Sequence, residues 1–219
     1  MYHLEVSFRS KTKADNLLVL KDTYALVDVF GRQLYKPKAW KLKKSKCVAL
    51  FSNKNSLRGH KLRHEIYKKR SIFEISFDFY GSIINRSFDS SVAIYNEYKY
   101  AIVVENELSR NYVSEKFFDA IKGKVFIFYF GDKESIVDLG FNTKSIIFFN
   151  SASDLITKIN NFFSSNSIDP IELQEALNTN YEILINMRRK KVNNFIENLS
   201  TILHINNSYL KGVKNDWKK

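Results

Sequence analysis

Tyr98-Lys99-Tyr100-Ala101-Ile102-Val103-Val104-Glu105-Asn106 is the stretch on which the fold turns. Its centre, residues 100–104, is a continuous apolar run, the pattern of a strand buried on both faces of a parallel sheet. A polar loop, residues 105–111, leaves that strand. A helix is expected from about Ser114, with Phe117, Phe118 and Ile121 turned inward. Working outward, Cys47-Val48-Ala49-Leu50-Phe51 is a second run of the same kind, followed by the turn chemistry of Ser52-Asn53-Lys54-Asn55-Ser56. Residues 58–70 then read as a helix, with Leu62 and Ile66 four apart on one face. Residues 72–80 read as a strand ended by Gly81, and residues 82–97 as a polar loop. Strands are also expected at 125–130, ended by Gly131, and at 145–149. A helix at 153–163 carries Leu155, Ile156, Ile159 and Phe162 or Phe163 inward.

Strands alternating with helices predict an α/β fold, a Rossmann-like parallel sheet covered on both faces. Ligands bind such sheets outside the carboxyl ends of the strands. That places residues 52–58 and 105–116 at the working edge. Asp169-Pro170 then starts a helical stretch, since proline suits a first helical position. Leu173, Leu177, Leu184, Met187, Phe195, Leu199 and Ile202 carry an apolar stripe along one long helix, or along two if it breaks near Lys190. Packing on the domain ranks ahead of pairing with another chain. Residues 211–219 read as a frayed tail.

Composition narrows the class. The chain has 219 residues, 44% of them apolar, with 18 Phe and 12 Tyr but only 7 Gly and 2 Pro, which excludes disordered and collagen-like proteins. The single Cys47 excludes a disulfide framework and a cysteine-based zinc site. Four scattered histidines, His3, His60, His64 and His204, do not suggest a metal centre. No apolar run approaches the roughly 20 residues that span a bilayer, and Arg9, Lys11 and Lys13 interrupt any leader-like opening. A reducing, cytoplasmic setting is the expectation.

The net charge of +12 is concentrated. Residues 1–70 hold 18 Lys and Arg against 5 Asp and Glu, whereas the remainder is close to neutral. Such a basic third attracts nucleic acid, an anionic membrane surface or a phosphate-bearing molecule, or is a solvated face. The segment from Lys36 to Lys46 sets Trp40 among six lysines and reads as a surface strap.

No G-x-G-x-x-G, P-loop, G-x-S-x-G, H-E-x-x-H or D-x-D motif is present. A phosphate would therefore be held by side-chain cations, backbone N–H groups and helix ends. Arg58 and Lys116 each fall in the first turn of an expected helix, past a serine, Ser56 or Ser114, that could cap it. A cation there opposes the helix dipole by roughly 0.3–1 kcal/mol, and an anion at the same end reverses the sign. In the following loop, Glu115 can accept from ribose hydroxyls, Lys116 can neutralise phosphate and Tyr112 can stack on or bond to a sugar or base. The plainer alternative is a capped helix with a solvated Glu-Lys pair.

The run from Tyr98 to Asn106, followed by Asn111-Tyr112-Val113-Ser114-Glu115-Lys116-Phe117, resembles the hallmark segment of the α-1,3/4-fucosyltransferases, glycosyltransferase family 10. Val125 to Gly131 is similar to that family's V-P-[VI] strand and glycine. Phe51-Ser52-Asn53 with Arg58 is similar to its V-S-N…R, and Asp78-Phe79-Tyr80-Gly81 to its D-[VF]-[YF]-G. The resemblance runs in order over residues 46–163. It implies a GT-B-type donor domain at 47–165, between a short basic segment at 1–46 and a C-terminal helical region at 166–219. It implies GDP-fucose as substrate, no cofactor and no metal, and an inverting transfer of fucose to a glycan hydroxyl.

Carried over motif by motif, Arg58 and Lys116 lie on the pyrophosphate and Glu115 on the ribose, with Asn106 and Tyr112 around the nucleotide-sugar. Asn53, Ser114 and Gly81 also belong to the donor side. Val104 replaces a family phenylalanine and Phe126 a proline, both at packing positions, while Ser114 keeps the hydroxyl of a threonine. The larger departure is length. Only about 46 residues precede Cys47, where the family has a full acceptor domain that supplies the base. The base is then Glu105, or one of Glu5, Asp15, Asp22 and Asp28, or comes from a partner chain.

The acceptor expected is a glycan such as a bacterial surface polysaccharide, with the basic third holding the enzyme peripherally at the inner face of a membrane. Two other readings stand behind this one. The first is a nucleotide-sugar-binding module without transferase activity. The second, ranked last, is a nucleic-acid-binding protein acting through the basic third.

Overall fold

The computed structural model describes residues 37–165 and 169–203, with side chains as far as 187. The strands are β1 (Lys44–Leu50), β2 (Phe77–Tyr80), β3 (Tyr98–Val104), β4 (Phe126–Phe130) and β5 (Ile146–Phe148). The helices are α1 (Arg58–Lys68), α2 (Ser91–Glu97), α3 (Glu115–Lys122), α4 (Lys133–Asp138), α5 (Ala152–Ser164) and α6 (Pro170–Leu203). All strand pairings are parallel, in the order β2-β1-β3-β4-β5. This is a doubly wound, Rossmann-like α/β sheet, as the alternation of elements predicts.

The two faces follow from the period-2 alternation of strand side chains. Cys47 and Ala49 of β1, Ile102 and Val104 of β3, and Phe126, Phe128 and Phe130 of β4 face one side. There they meet Leu62 and Ile66 of α1 and Leu155 and Ile159 of α5. The intervening residues Val48, Ala101, Val103, Ile127 and Tyr129 face the other, against Tyr95 of α2, Phe117, Phe118 and Ile121 of α3 and Ile136 of α4. Helix α6 touches both cores, through Leu173 and Leu177 on one side and Leu184 on the other.

Three expectations are corrected, and one open alternative is decided. The strand expected over residues 72–80 is paired only at Phe77–Tyr80, and a 3₁₀ turn at Arg70–Ile72 leaves Ile72 57% exposed. The loop expected over residues 82–97 contains α2, capped by the Ser90 hydroxyl, which accepts from the Ala93 N–H at 3.2 Å. That helix buries only Val92 and Tyr95, too few to mark a helical period, yet it is the crossover a parallel β2-to-β3 connection requires. Helix α4, between β4 and β5, likewise buries only Ser135 and Ile136 and was not anticipated. Helix α6 runs unbroken past Lys190. The carboxylates Glu5, Asp15, Asp22 and Asp28, most of the basic segment and the expected tail lie outside the described residues. No described helix is long and apolar enough to cross a membrane.

Candidate functional site

Strand order reverses at β1: β2 lies on one side and β3 on the other, and the crevice above such a switch point is where open α/β sheets bind ligands. The loops after β1 and β3 meet there. The Gly59 N–H in the first turn of α1 donates to the Asn106 carbonyl at 2.9 Å. A Cβ at position 59 would lie 1.7 Å from the Glu105 carbonyl oxygen, so only glycine allows this approach. The N-termini of α1 and α3 thus border one edge. Arg58 and Lys116, 58 residues apart in the chain, each lie in the first turn of one of these helices.

At the α1 end, Arg58 is exposed, its guanidinium 5.5 Å from the centre of the Phe130 ring. Ser56 does not cap this helix. The N-cap is Leu57, whose N–H donates to His60 Nδ1 at 3.3 Å. Burial first, and then the Arg63 charge, lower the His60 pKa, which favours the neutral ring this acceptor role needs. At the α3 end Ser114 does cap, accepting from the Lys116 N–H at 3.4 Å. Lys116 Nζ donates to Ser114 Oγ at 3.1 Å and pairs with Glu115 at 2.9 Å. Burial raises the Glu115 pKa, but Lys116 together with hydrogen bonds from the Glu115 N–H and Ser114 outweighs it and holds the carboxylate below its ordinary range.

Beneath these groups lies a polar layer that motif reading missed. Arg63 is 3% exposed, and its Nη2 donates to the Val104 carbonyl and, at 2.8 Å, to Asn106 Oδ1. Asn106 Nδ2 donates in turn to the Tyr112 hydroxyl at 3.4 Å. Burial and the Glu105 charge raise the Tyr112 pKa, keeping the phenol protonated. Arg63 thereby ties Asn106 and Tyr112 into one fixed arrangement. Its signal in the sequence was a cation one residue after Leu62 and three before Ile66, close to the buried side of α1.

Glu105 is placed differently from the expectation. It has no exposed surface, and its carboxylate accepts from the Ser114 N–H at 3.0 Å, from the Ser114 hydroxyl and from the Tyr129 hydroxyl at 3.1 Å. Burial raises its pKa against the opposing charge of Lys116. A carboxylate enclosed this way fixes the start of the loop to the cap of α3; it does not face an acceptor.

Asn53 and Gly81 sit in the neighbouring turns. Asn53 donates its N–H to Ser82 Oγ at 2.9 Å and accepts from that hydroxyl at 3.1 Å. Gly81 has φ +102°, and a Cβ there would fall 2.2 Å from the Phe51 carbonyl oxygen. Both hold the ends of β1 and β2 in register. Among the described residues, no group of three or more His, Cys, Asp or Glu could hold a metal ion.

No family model matches the chain, and no curated protein matches it. Two crystal structures of α1,3-fucosyltransferases are similar to it over 62% of its length. One is 23% identical with a TM-score of 0.48, and the other, solved with GDP-fucose, is 20% identical with a TM-score of 0.47. The chain spans 37% and 39% of those two proteins.

Proposed function

We propose that residues 47–165 form the donor-binding unit of a fucosyltransferase-like glycosyltransferase, with GDP-fucose as the donor. The observation that carries this reading is the convergence of two helix N-termini and two cations, Arg58 and Lys116, on the switch-point edge of the sheet. A pyrophosphate is the ligand that turns both unfavourable cation–dipole placements into favourable ones. Glu115, held ionised by Lys116, accepts from ribose hydroxyls. Asn106 and Tyr112, fixed from below by Arg63, face the nucleotide-sugar. The order of the family-like motifs along the chain supplies the identity of the sugar nucleotide.

In the reaction the acceptor oxygen forms a bond to the anomeric carbon from the face opposite the leaving group. The bond from that carbon to the phosphate oxygen breaks, and GDP departs with the electron pair. Arg58, Lys116 and the two helix ends stabilise the charge gathering on the diphosphate, as preorganised donors do where charge develops. The acceptor proton passes to a carboxylate. Because Glu105 is enclosed, that carboxylate is sought among Glu5, Asp15, Asp22 and Asp28 or on a partner chain. The enclosure of Glu105 also favours a second reading, a donor-binding module that transfers nothing.

The test is the melting temperature with and without GDP and GDP-fucose, for the wild type, Arg58→Ala and Lys116→Ala. A ligand at 100 times its Kd stabilises by about 2.7 kcal/mol, a shift of several degrees in a domain of this size. The expected result is a shift in the wild type that both substitutions abolish. Absence of any shift with either ligand refutes the donor site. A shift with no transfer to any glycan acceptor selects the second reading.

A further inference from the structure

At the opposite, amino edge of the sheet, a cavity of about 230 Å³ is lined by Pro37, Lys38, Ala39, Trp40, Lys43, Lys124, Gln174, Leu177 and Asn178. Three of these are lysines. Lys43 precedes β1 and is 5% exposed, and its ammonium donates to the Gly123 carbonyl and, at 3.3 Å, to the Tyr95 carbonyl. Two of its three N–H groups are thus used, by dipoles and not by a carboxylate. Lys124 precedes β4 in the left-handed region, φ +48°, and donates to Asn178 Oδ1 at 2.9 Å while standing 4.5 Å from the Tyr181 ring centre. Lys38 pairs with Glu97 at 2.9 Å.

Among the described residues, the three lysines of this cavity face two carboxylates. Glu97 is committed to Lys38, and Glu182 acts on Lys124 only from beyond ion-pair distance. Burial is the largest cause that brings the Lys43 pKa down to about 7; Glu97 opposes it, and the repulsion of Lys38 and Lys124 adds to it. An anion in the cavity would offset that repulsion. The Trp40 ring offers an apolar wall, and Asn178 Oδ1, which accepts from Lys124 and from Gln174 Nε2 at 3.1 Å, fixes the polar side. The volume falls below the roughly 300–1,000 Å³ of sites for drug-sized ligands, which limits the occupant to a small molecule.

We propose that this cavity is an anion site for a phosphate group, free or as the monoester of a small sugar, held by Lys43 and Lys124 against Trp40. It lies at the other end of the strands from Arg58 and Lys116, and so stands or falls independently of the donor site.

The experiment is a titration of the full ¹⁵N-labelled chain with inorganic phosphate, glucose 6-phosphate and glucose, following the Trp40 indole N–H. Trp40→Phe distinguishes that signal from the only other tryptophan, Trp217. The expected result is a saturable shift with a phosphate-bearing probe and none with glucose, weakened at least tenfold in Lys124→Met and unchanged in Arg58→Ala. A response to both anions, or to glucose 6-phosphate alone, assigns the sugar phosphate. A response to inorganic phosphate alone assigns the free ion. Lys43→Met should behave as Lys124→Met does, and if it fails to fold the Lys124 variant decides. No saturable shift, an equal shift with glucose, or a shift that survives Lys124→Met overturns the proposal.

Discussion

At the amino ends of β1 and β4 the Lys43 ammonium is buried where two helices finish, on carbonyls of α2 and the α3 cap. At the carboxyl ends of β1 and β3, Arg58 and Lys116 stand where two helices begin. The same kind of charge has opposite consequences in the two places. A cation at a helix C-terminus gains about 0.3–1 kcal/mol from the dipole, and one in the first turn loses a similar amount. Folding therefore accounts for the bonds Lys43 makes to the two helix ends. It gives no account of Arg58, which is exposed and makes no ion pair among the described residues.

The strongest way to break the comparison is Gly59→Ala. The added Cβ collides with backbone, which cannot rotate away, so the loops after β1 and β3 must separate. A loss of about 3 kcal/mol is expected in urea unfolding, together with a loss of GDP binding. A stable variant with intact binding would show that the two loops need not touch.

Lys43→Met probes the other edge. Leaving the Tyr95 and Gly123 carbonyls without their donor should cost about 2 kcal/mol. The pH dependence gives a second reading of the same group. Lys43 titrates near 7 in the folded chain and in the ordinary lysine range when unfolded, so between those values the unfolded state binds more protons. The stability of the wild type relative to Lys43→Met should therefore rise from about pH 7 toward 10. A flat difference would place the ammonium in water.

Glu105→Gln should cost about 1 kcal/mol at neutral pH, since the amide keeps the shape but accepts less well from Ser114. Because burial raises the Glu105 pKa, the folded state binds the extra proton above the ordinary glutamate value. The wild type should lose stability over that window as pH rises, and the variant should lack this component. Arg58→Ala should change stability least, within about 0.5 kcal/mol, while abolishing the GDP-dependent rise in melting temperature. That split between stability and binding is the sharpest form of the contrast between the two edges.

Much of this was legible in the sequence because the buried strands are nearly unbroken apolar runs. The runs at 47–51, 100–104 and 125–130 placed the sheet and hence the edge that carries the loops after β1 and β3. Helix α2 was not legible, because a seven-residue helix with two buried side chains carries almost no period. Ser114 announced its cap, whereas His60 supplies the acceptor for Leu57 from inside α1, a role that no residue-type rule assigns to histidine. Glu105 looked reactive because it follows a strand at the working edge. Only the positions of Ser114 and Tyr129 reveal it as enclosed. Arg63 was hidden for the converse reason, being a charged residue where the pattern calls for an apolar one.

The bond from Arg63 to Asn106 joins residues 43 positions apart, across a segment that includes all of β2 and α2. Because β3 pairs with β1 and not with β2, nothing local can bring these residues together. The chain must close that long loop, at an entropic cost, before the contact gives anything back. A nascent chain emerging up to the end of β2 would carry Arg58 and Arg63 but have no partner for either loop. Occupancy of the edge is thus a late event in folding, and a nucleotide that binds there would act as a reporter of completed topology.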